Sequence, residues 1–437
     1  MGSSEGCVRG VEIAGHAGFI WSFWKPTSDG GTSMSTSLLY HAFGVRGYLH
    51  EKTEFGEGEV TFTISQPRKR WRCPVCGGRK VIGRGKHLRR FRTVPIGGKP
   101  VWIVLAVPRV ECRACGNVRQ VKIGFADSRV SYTRAFERYA WGLSRSMTIK
   151  DVANHLGISW DVIKEIQKRH LRRKYAKPKL RHVKRIAIDE ISTGKGRHFV
   201  TIVLDLDSGM VIHVGQSKGG DALQPLWKRL RASRAKIEAV ATDLGPAYIE
   251  AVLAHLPKAK LVFDRFHVIK LYNEKLSDLR RDLQRQLADT MQKKVLKGIR
   301  WLLLKRPQNL DPSRGEPERL EEALRLNEPL ALAYYLKEEL NAIWEQDDRR
   351  TAHALLLDWV ACARASGIRI LQKFAATLIL HASGILAWYD YPISTGPLEG
   401  TNNKIKTMKR QAYGFRDQEF LKLKILGIHE TKYALVG

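Results

Sequence analysis

Three strand-like runs in the middle of the chain constrain what it can fold into more than any other feature. Arg185-Ile-Ala-Ile-Asp-Glu190 leads through apolar residues to a carboxylate, Asp189. Residues 199–204 and 210–214 follow, joined by Asp205-Leu-Asp-Ser-Gly209. β-Branched residues, period-two stretches and an Asp/Ser/Gly turn predict an antiparallel meander. Further on, 221–233 reads as a helix, 237–243 as a strand, Gly245-Pro246 as the opening of a helix to His255, and 261–264 as a last strand. Three strand ends are thus predicted to carry Asp189, Asp243 and Asp264. A carboxylate on rigid strand backbone holds its geometry well enough to ligate a metal. A carboxylate there also caps a turn, and Asp189 alone does not decide between the two.

The order of these elements matches an α/β RNase H-like core, with the strands of Asp189 and Asp243 side by side. From Leu271 to about Trp388 the sequence turns helical and highly charged, with breaks around 307–317 and at Pro329. This predicts a large all-α insertion interrupting the core. Trp301, Trp344, Trp359 and Trp388 punctuate it, as core residues or as surfaces for stacking on DNA.

Charge narrows the partner. Lys and Arg number 75 against 43 Asp and Glu, a net charge of +32, spread through folded-looking sequence and not gathered in a tail. That calls for a polyanion, with nucleic acid the first candidate. No run of eighteen apolar residues occurs, so no membrane span is expected; the apolar stretch at 352–388 is broken by Asp358, Arg364, Arg369, Lys373 and His381. No secretory signal is evident, which with the cysteine usage points to a reducing cytoplasm.

Four of the six cysteines form two pairs, Cys73-Pro-Val-Cys76 and Cys112-Arg-Ala-Cys115, each followed by Gly and separated by 35 residues. Paired thiolates at this spacing match one tetrahedral structural Zn²⁺, with the intervening 94–107 region able to form the hairpin of a zinc ribbon. The alternative is four unligated core cysteines. Residues 148–166 then show a helix-turn-helix pattern. Thr148 and Asp151 form a capping box, Gly157 turns the chain, and Ser159 caps a second helix with Val162, Ile163 and Ile166 inward. That helix would offer Trp160, Asp161 and Lys164, with Ser159 beside them, to base edges and Lys168, Arg169, Arg172 and Arg173 to phosphates. An ordinary helical hairpin would share the pattern.

Near the end, Glu399, Asn402, Asn403, Lys406 and Arg410 fall on one helical face, an acid among amides and cations. Glu399 reads as a metal ligand, and the other four as groups for DNA phosphates.

These segments resemble the bacterial insertion-sequence transposases of the ISL-three type, with a DDE catalytic core. The resemblance is carried by Ala187-Ile-Asp-Glu-Ile191, Thr242-Asp-Leu-Gly-Pro-Ala-Tyr248, Phe263-Asp-Arg-Phe-His-Val-Ile269 and, most specifically, 398–414. It runs from about Met34 to the end and implies that Asp189, Asp243 and Glu399 are the catalytic triad. Asp264 and His267 would be its supporting Asp-x-x-His signature, with His267 either holding Asp264 or orienting a phosphate or water. Two Mg²⁺ (or Mn²⁺) ions on the triad suit in-line phosphodiester chemistry. Glu190, one strand position on from Asp189, is expected to point away and be structural.

The expected division is 1–33 as an extension without evident period, 34–125 as a β region with the zinc ribbon, and 126–178 as the helix-turn-helix. The core follows over 179–270 and 391–437, with the insertion at 271–390. The expected partners are double-stranded inverted-repeat ends and target DNA, met by a homodimer or higher oligomer at the bacterial nucleoid. Two other functions stay open at this point: a non-catalytic zinc and helix-turn-helix regulator, and an RNase H-like nuclease or resolvase without strand transfer.

Overall fold

The meander predicted for the centre of the chain forms three strands of a five-stranded sheet. The computed structural model describes residues 34–56, 58–194, 199–217 and 219–429. The reading of residues 1–33 as an extension lies outside them. The chain divides into two compact units, one ending at Phe136 and the other starting at Glu137.

In the first unit, β1 (Leu49–Gly56), β2 (Glu59–Ser65), β3 (Val81–Ile96), β4 (Lys99–Cys112) and the short β5 (Val118–Gln120) form one sheet. Its order is β1-β2-β4-β3, with β5 on β4. The β3–β4 hairpin is the one expected between the cysteine pairs. Val101, Ile103, Leu105 and Val107 alternate into a core with Phe91, Phe62 and Phe125. The head of the region expected to be β, 34–125, is instead helix α1 (Met34–Phe43). Leu39 and Phe43, one turn apart, are both buried in the same core, which favours a helix over a strand.

The second unit holds the RNase H-like sheet. Its strands are β6 (Arg185–Ser192), β7 (Phe199–Asp205), β8 (Val211–Gln216), β9 (Ala239–Thr242) and β10 (Lys260–Phe263), in the order β10-β9-β6-β7-β8. β6, β7 and β8 are antiparallel, while β9 runs parallel to β6 and β10 parallel to β9. The strands of Asp189 and Asp243 are therefore neighbours, as expected. Asp189, however, is not at a strand end. β6 continues to Ser192 because its antiparallel ladder with β7 persists, whereas the parallel ladder with β9 stops at Ala187–Ala241. Asp189 lies just past that stop, where one side of its strand is released.

Before this sheet come α2 (Arg134–Leu143), α3 (Ile149–Leu156) and α4 (Trp160–Tyr175). The caps are those predicted: Thr148 Oγ1 accepts from Asp151 N, Ser159 Oγ accepts from Val162 N, and Gly157 takes the left-handed conformation at φ 61°. Ile163 and Ile166 are buried; Val162 is only half-buried. Within and after the sheet lie α5 (Gln224–Ser233), α6 (Pro246–His255) and α7 (Arg265–Gln286).

The insertion is all-helical among its described residues: α8 (Thr290–Gly298), α9 (Glu316–Arg325), α10 (Glu328–Ala342), α11 (Arg349–Ala365) and α12 (Arg369–Leu386). Pro329 lies in the first turn of α10, where its missing N–H costs nothing. Tyr272, Trp359 and Phe374 pack edge-on at centroid distances of 5.0–5.8 Å in its core. Trp344 and Trp359 are buried and Trp388 half-buried, but Trp301 is exposed. By length and composition the α12 segment, 369–389, would suffice to cross a membrane, with mean hydropathy 1.5 over its window. Its Leu371, Phe374, Leu378 and Ile385 are buried in the helical core. The chain then re-enters the catalytic unit as α13 (Gly396–Gln411) and α14 (Gln418–Leu426).

Candidate active site

Asp189, Asp243 and Glu399 line one cavity of about 410 Å³. Each arrives by a different route. Asp189 projects from β6. Asp243 follows β9 in the turn into α6, where its Oδ1 accepts the Gly245 N–H at 3.0 Å. A Cβ at residue 245 would stand 2.8 Å from that oxygen, so a side chain there would push the Asp243 carboxylate out of this position. Glu399 sits in the first turn of α13, and its N–H donates to Thr395 O at 2.9 Å.

Asn402, read from the sequence as a phosphate contact, points into the site. Its Nδ2 donates to Asp189 Oδ2 at 2.8 Å, and its Oδ1 is enclosed without a partner. Burial pushes the Asp189 carboxyl up; Asp243 and Glu190 push the same way, while the Glu190 N–H and His267 oppose them. A buried carboxylate with acidic neighbours favours a bound cation. The donors are all oxygens, three carboxylates and the unpartnered amide Oδ1, which is the set that hard divalent ions prefer. The residues therefore fit such ions.

Glu190 also borders the cavity and accepts from the Tyr248 hydroxyl at 3.3 Å. Burial pushes that hydroxyl up to about 12, so it stays a donor. Lys270 and Lys406 complete the cationic part of the lining. Of the sequence-derived stripe, Glu399, Asn402 and Lys406 reach the cavity; Asn403 and Arg410 are exposed on α13 and do not line it.

Asp264 and His267 meet at a residue to which the sequence reading gave no role. Asp264 caps α7 by accepting from Phe266 N, and its Oδ2 accepts both the N–H (2.7 Å) and the hydroxyl (2.6 Å) of Thr395. With that hydroxyl proton committed, His267 Nε2, 3.2 Å from Thr395 Oγ1, must be the donor to it. His267 thus joins Asp264 through Thr395, not directly. The available signal was spacing: Thr395 lies one helical turn before Glu399. Thr395→Val is expected to slow strand cleavage about 10- to 100-fold, the usual cost of losing a partner that orients metal ligands. Gel-shift affinity for DNA should stay unchanged and Thr395→Ser should restore the rate; equal rates for Val and Thr would remove this role.

The helix-turn-helix cations divide. Trp160 is exposed, with the Lys164 ammonium 5.0 Å from its ring centroid. Lys168, expected to meet a phosphate, is buried and 3.0 Å from both Asp417 and Glu419 of α14. Arg172, one turn on, donates to Glu419 at 3.1 Å, and Arg169 lies 3.8 Å from Glu137. Lys168 and Arg172 thus dock α4 on α14, while Arg169 faces α2. Asp417→Asn is expected to cost about 1–2 kcal/mol in urea unfolding, because it removes one of the two carboxylates that pair with the buried Lys168 ammonium. Asp417 is held below the usual carboxylate range by the Phe420 N–H and Lys168, and Glu419 by Arg172 and Lys168. Depressed folded values mean that this stabilisation is full at neutral pH and is lost as pH falls below about 4.

In the first unit the four thiols converge. Cys73 Sγ is 3.6 Å from Cys115 Sγ, and Cys76 Sγ is 3.5 Å from Cys112 Sγ, with all four within 4.8 Å. Tetrahedral Zn–S bonds of about 2.3 Å imply S···S spacings of about 3.8 Å, close to these. Each knuckle closes by a glycine N–H, Gly77 to Cys73 O and Gly116 to Cys112 O. The Asn117 amide, 3.4 Å from Cys115 Sγ, draws that thiol below its usual range, toward the thiolate that binds metal. Among the described residues no other group of three or more His, Cys, Asp or Glu closes up as tightly.

Comparison with known proteins agrees with this layout. Residues 186–425 match the transposase family of the ISL3 type, 69–115 match the zinc-finger of transposase IS204/IS1001/IS1096/IS1165, and 121–171 match the helix-turn-helix domain of transposase family ISL3. The chain is 33% identical over 403 residues to the transposase for insertion sequence element IS1001 of Bordetella parapertussis, covering 90% of this chain and 98% of that one. It is 27% identical over 402 residues to the transposase for IS1557 of Mycobacterium tuberculosis, covering 85% and 89%. The Drosophila P element transposase strand transfer complex superposes with a TM-score of 0.39 at 10% identity, over 70% of this chain and 94% of that one, too weakly to bear on fold or function. The family match spans more than half of the chain, and on it and the 33% identical relative the chain belongs to the ISL3 family of transposases.

Proposed function

We propose that the chain cleaves DNA at the inverted-repeat ends of an insertion sequence and joins the freed 3'-hydroxyls to target DNA, with Asp189, Asp243 and Glu399 as the catalytic carboxylates. The observation that carries this reading is their shared cavity, reached from the sheet and from a helix that follows a whole inserted domain. In the first step a water oxygen attacks the end phosphorus and the P–O3' bond breaks, leaving a 3'-hydroxyl. In the second that hydroxyl attacks a target phosphorus and displaces another 3' oxygen. Two Mg²⁺ or Mn²⁺ ions held by the three acids would supply activation of the attacking oxygen and charge neutralisation on the leaving one. The chain's own groups do the rest. Asn402 fixes the Asp189 carboxylate, Thr395 sets the start of the Glu399 helix, and Lys270 and Lys406 offset phosphate charge.

In this reading DNA is gripped by the helix-turn-helix (126–178), through Ser159, Trp160, Lys164 and Arg169, and by Asn403 and Arg410 on α13. One Zn²⁺ on Cys73, Cys76, Cys112 and Cys115 shapes the 34–125 region. Two ends must be brought together, so a dimer or higher oligomer forms on DNA, at the bacterial nucleoid. The test uses purified protein, Mg²⁺, a duplex bearing the terminal repeat that flanks the gene, and a circular plasmid. Nicking at the repeat boundary and covalent joining to the plasmid are expected. Nicking without joining would make the chain a nuclease, and binding without nicking a regulator.

A further inference from the structure

Phe266, the second residue of α7, leaves half of its ring exposed (50%). A large apolar ring is not left in water without cost, since burying it would release that surface from solvent. It is braced from behind, edge-on to the His267 imidazole at 5.4 Å and 79°. It also borders the acid cavity together with two further cavities of about 460 and 600 Å³. Phe266, Lys270, Asn273 and Ser277 are spaced i, i+4, i+7 and i+11, one face of α7 leading away from the acids.

The 460 Å³ cavity has the chemistry of a base pocket. Trp344 and Trp388 give it aromatic walls, Asn273 brings an enclosed Oδ1 that accepts no hydrogen bond, and Arg265 and Arg306 line it while both bonding Asn341 Oδ1 and pairing with Glu345. The carboxylate lining it, Asp264, is already occupied by Thr395. Flat aromatic walls and guanidinium planes held in place by Asn341 and Glu345, one ring away from the acid cavity, suit stacking of an unstacked base. A small apolar metabolite would have no use for the arginines or for the continuity with the acids.

We propose that Phe266 is a stacking platform for one unpaired nucleobase next to the scissile phosphate, and that the base enters this cavity between its aromatic walls. The proposal rests on the strand-cleavage reading above. A base that leaves the duplex here marks the cutting point by the ease of its extrusion, so part of the choice of cleavage position would reside in this pocket and not in the helix-turn-helix.

The test uses full-length protein and terminal-repeat duplexes with 5-iododeoxyuridine or 2-aminopurine placed singly on each strand around the cut. For the wild type we expect irradiation to crosslink the α7 peptide at one or two flanking positions, and 2-aminopurine there to brighten on binding. Phe266→Ala should retain end binding and its thermal melt but cleave roughly 5- to 150-fold more slowly, the loss expected for one base–aromatic stack. Phe266→Trp should restore cleavage, and a mismatch that pre-opens the pair should recover part of the alanine loss. Wild-type cleavage by Phe266→Ala, or brightening independent of residue 266, overturns the pocket while leaving the cleavage reading intact. Absence of cleavage by the wild type on any end overturns the cleavage reading itself.

Discussion

Asp189→Asn is expected to lower end cleavage by about 10³-fold or more, since a catalytic metal ligand supplies several kcal/mol of transition-state stabilisation and each 1.36 kcal/mol is tenfold. The substitution keeps size and shape. Its amide can still face the Asn402 side chain, which now donates to Asp189 Oδ2 at 2.8 Å. It also relieves the repulsion that helps push this carboxyl up, so the variant should be at least as stable as the parent. Loss of activity therefore cannot be ascribed to unfolding. End binding by gel shift should be unchanged, because the helix-turn-helix is untouched. Both readouts matter: a variant that cuts at the parental rate removes Asp189 from the chemistry, and one that no longer binds DNA puts it in recognition.

Stripping zinc is the second large effect. Structural zinc in finger-like sites contributes roughly 10–16 kcal/mol of apparent binding free energy, which is folding free energy for the segment it organises. Here the loss should be local. The knuckles around Cys73–Cys76 and Cys112–Cys115 have little apolar support of their own, while the sheet beside them has Phe91, Ile103 and Leu105 fully buried. Chelation should deprotect the amides of 72–80 and 112–118 to hydrogen exchange while the centres of β2 and β4 stay protected. Elemental measurement should give one zinc per chain, falling with Cys76→Ser. A chain free of zinc with fully protected knuckles would contradict the assignment.

Local chemistry was legible in the sequence and remote chemistry was not. The Thr148 and Ser159 caps were readable because a cap involves residues three apart. The order of strands followed from periodicity and turn residues. The fate of Lys168 was hidden because its partner Asp417 lies 249 positions away, so a basic helix face looked free for phosphate. Asn402 and Asn403 are indistinguishable as sequence neighbours, yet the helix turns one to Asp189 and the other to solvent. α1 was absorbed into the expected β region because the shared burial of Leu39 and Phe43 depends on strands that lie further along the chain.

The docking of α4 on α14 bears on how the protein is made. Asp189 and Glu399 are 210 positions apart, and at roughly 5–20 residues per second a ribosome needs about 10–40 s to span them. Until 396–426 has emerged, the third acid is missing and the ammonium of Lys168 has no Asp417 or Glu419 to meet. The same late segment, 396–426, thus brings both Glu399 to the acid cavity and the partners that seat α4.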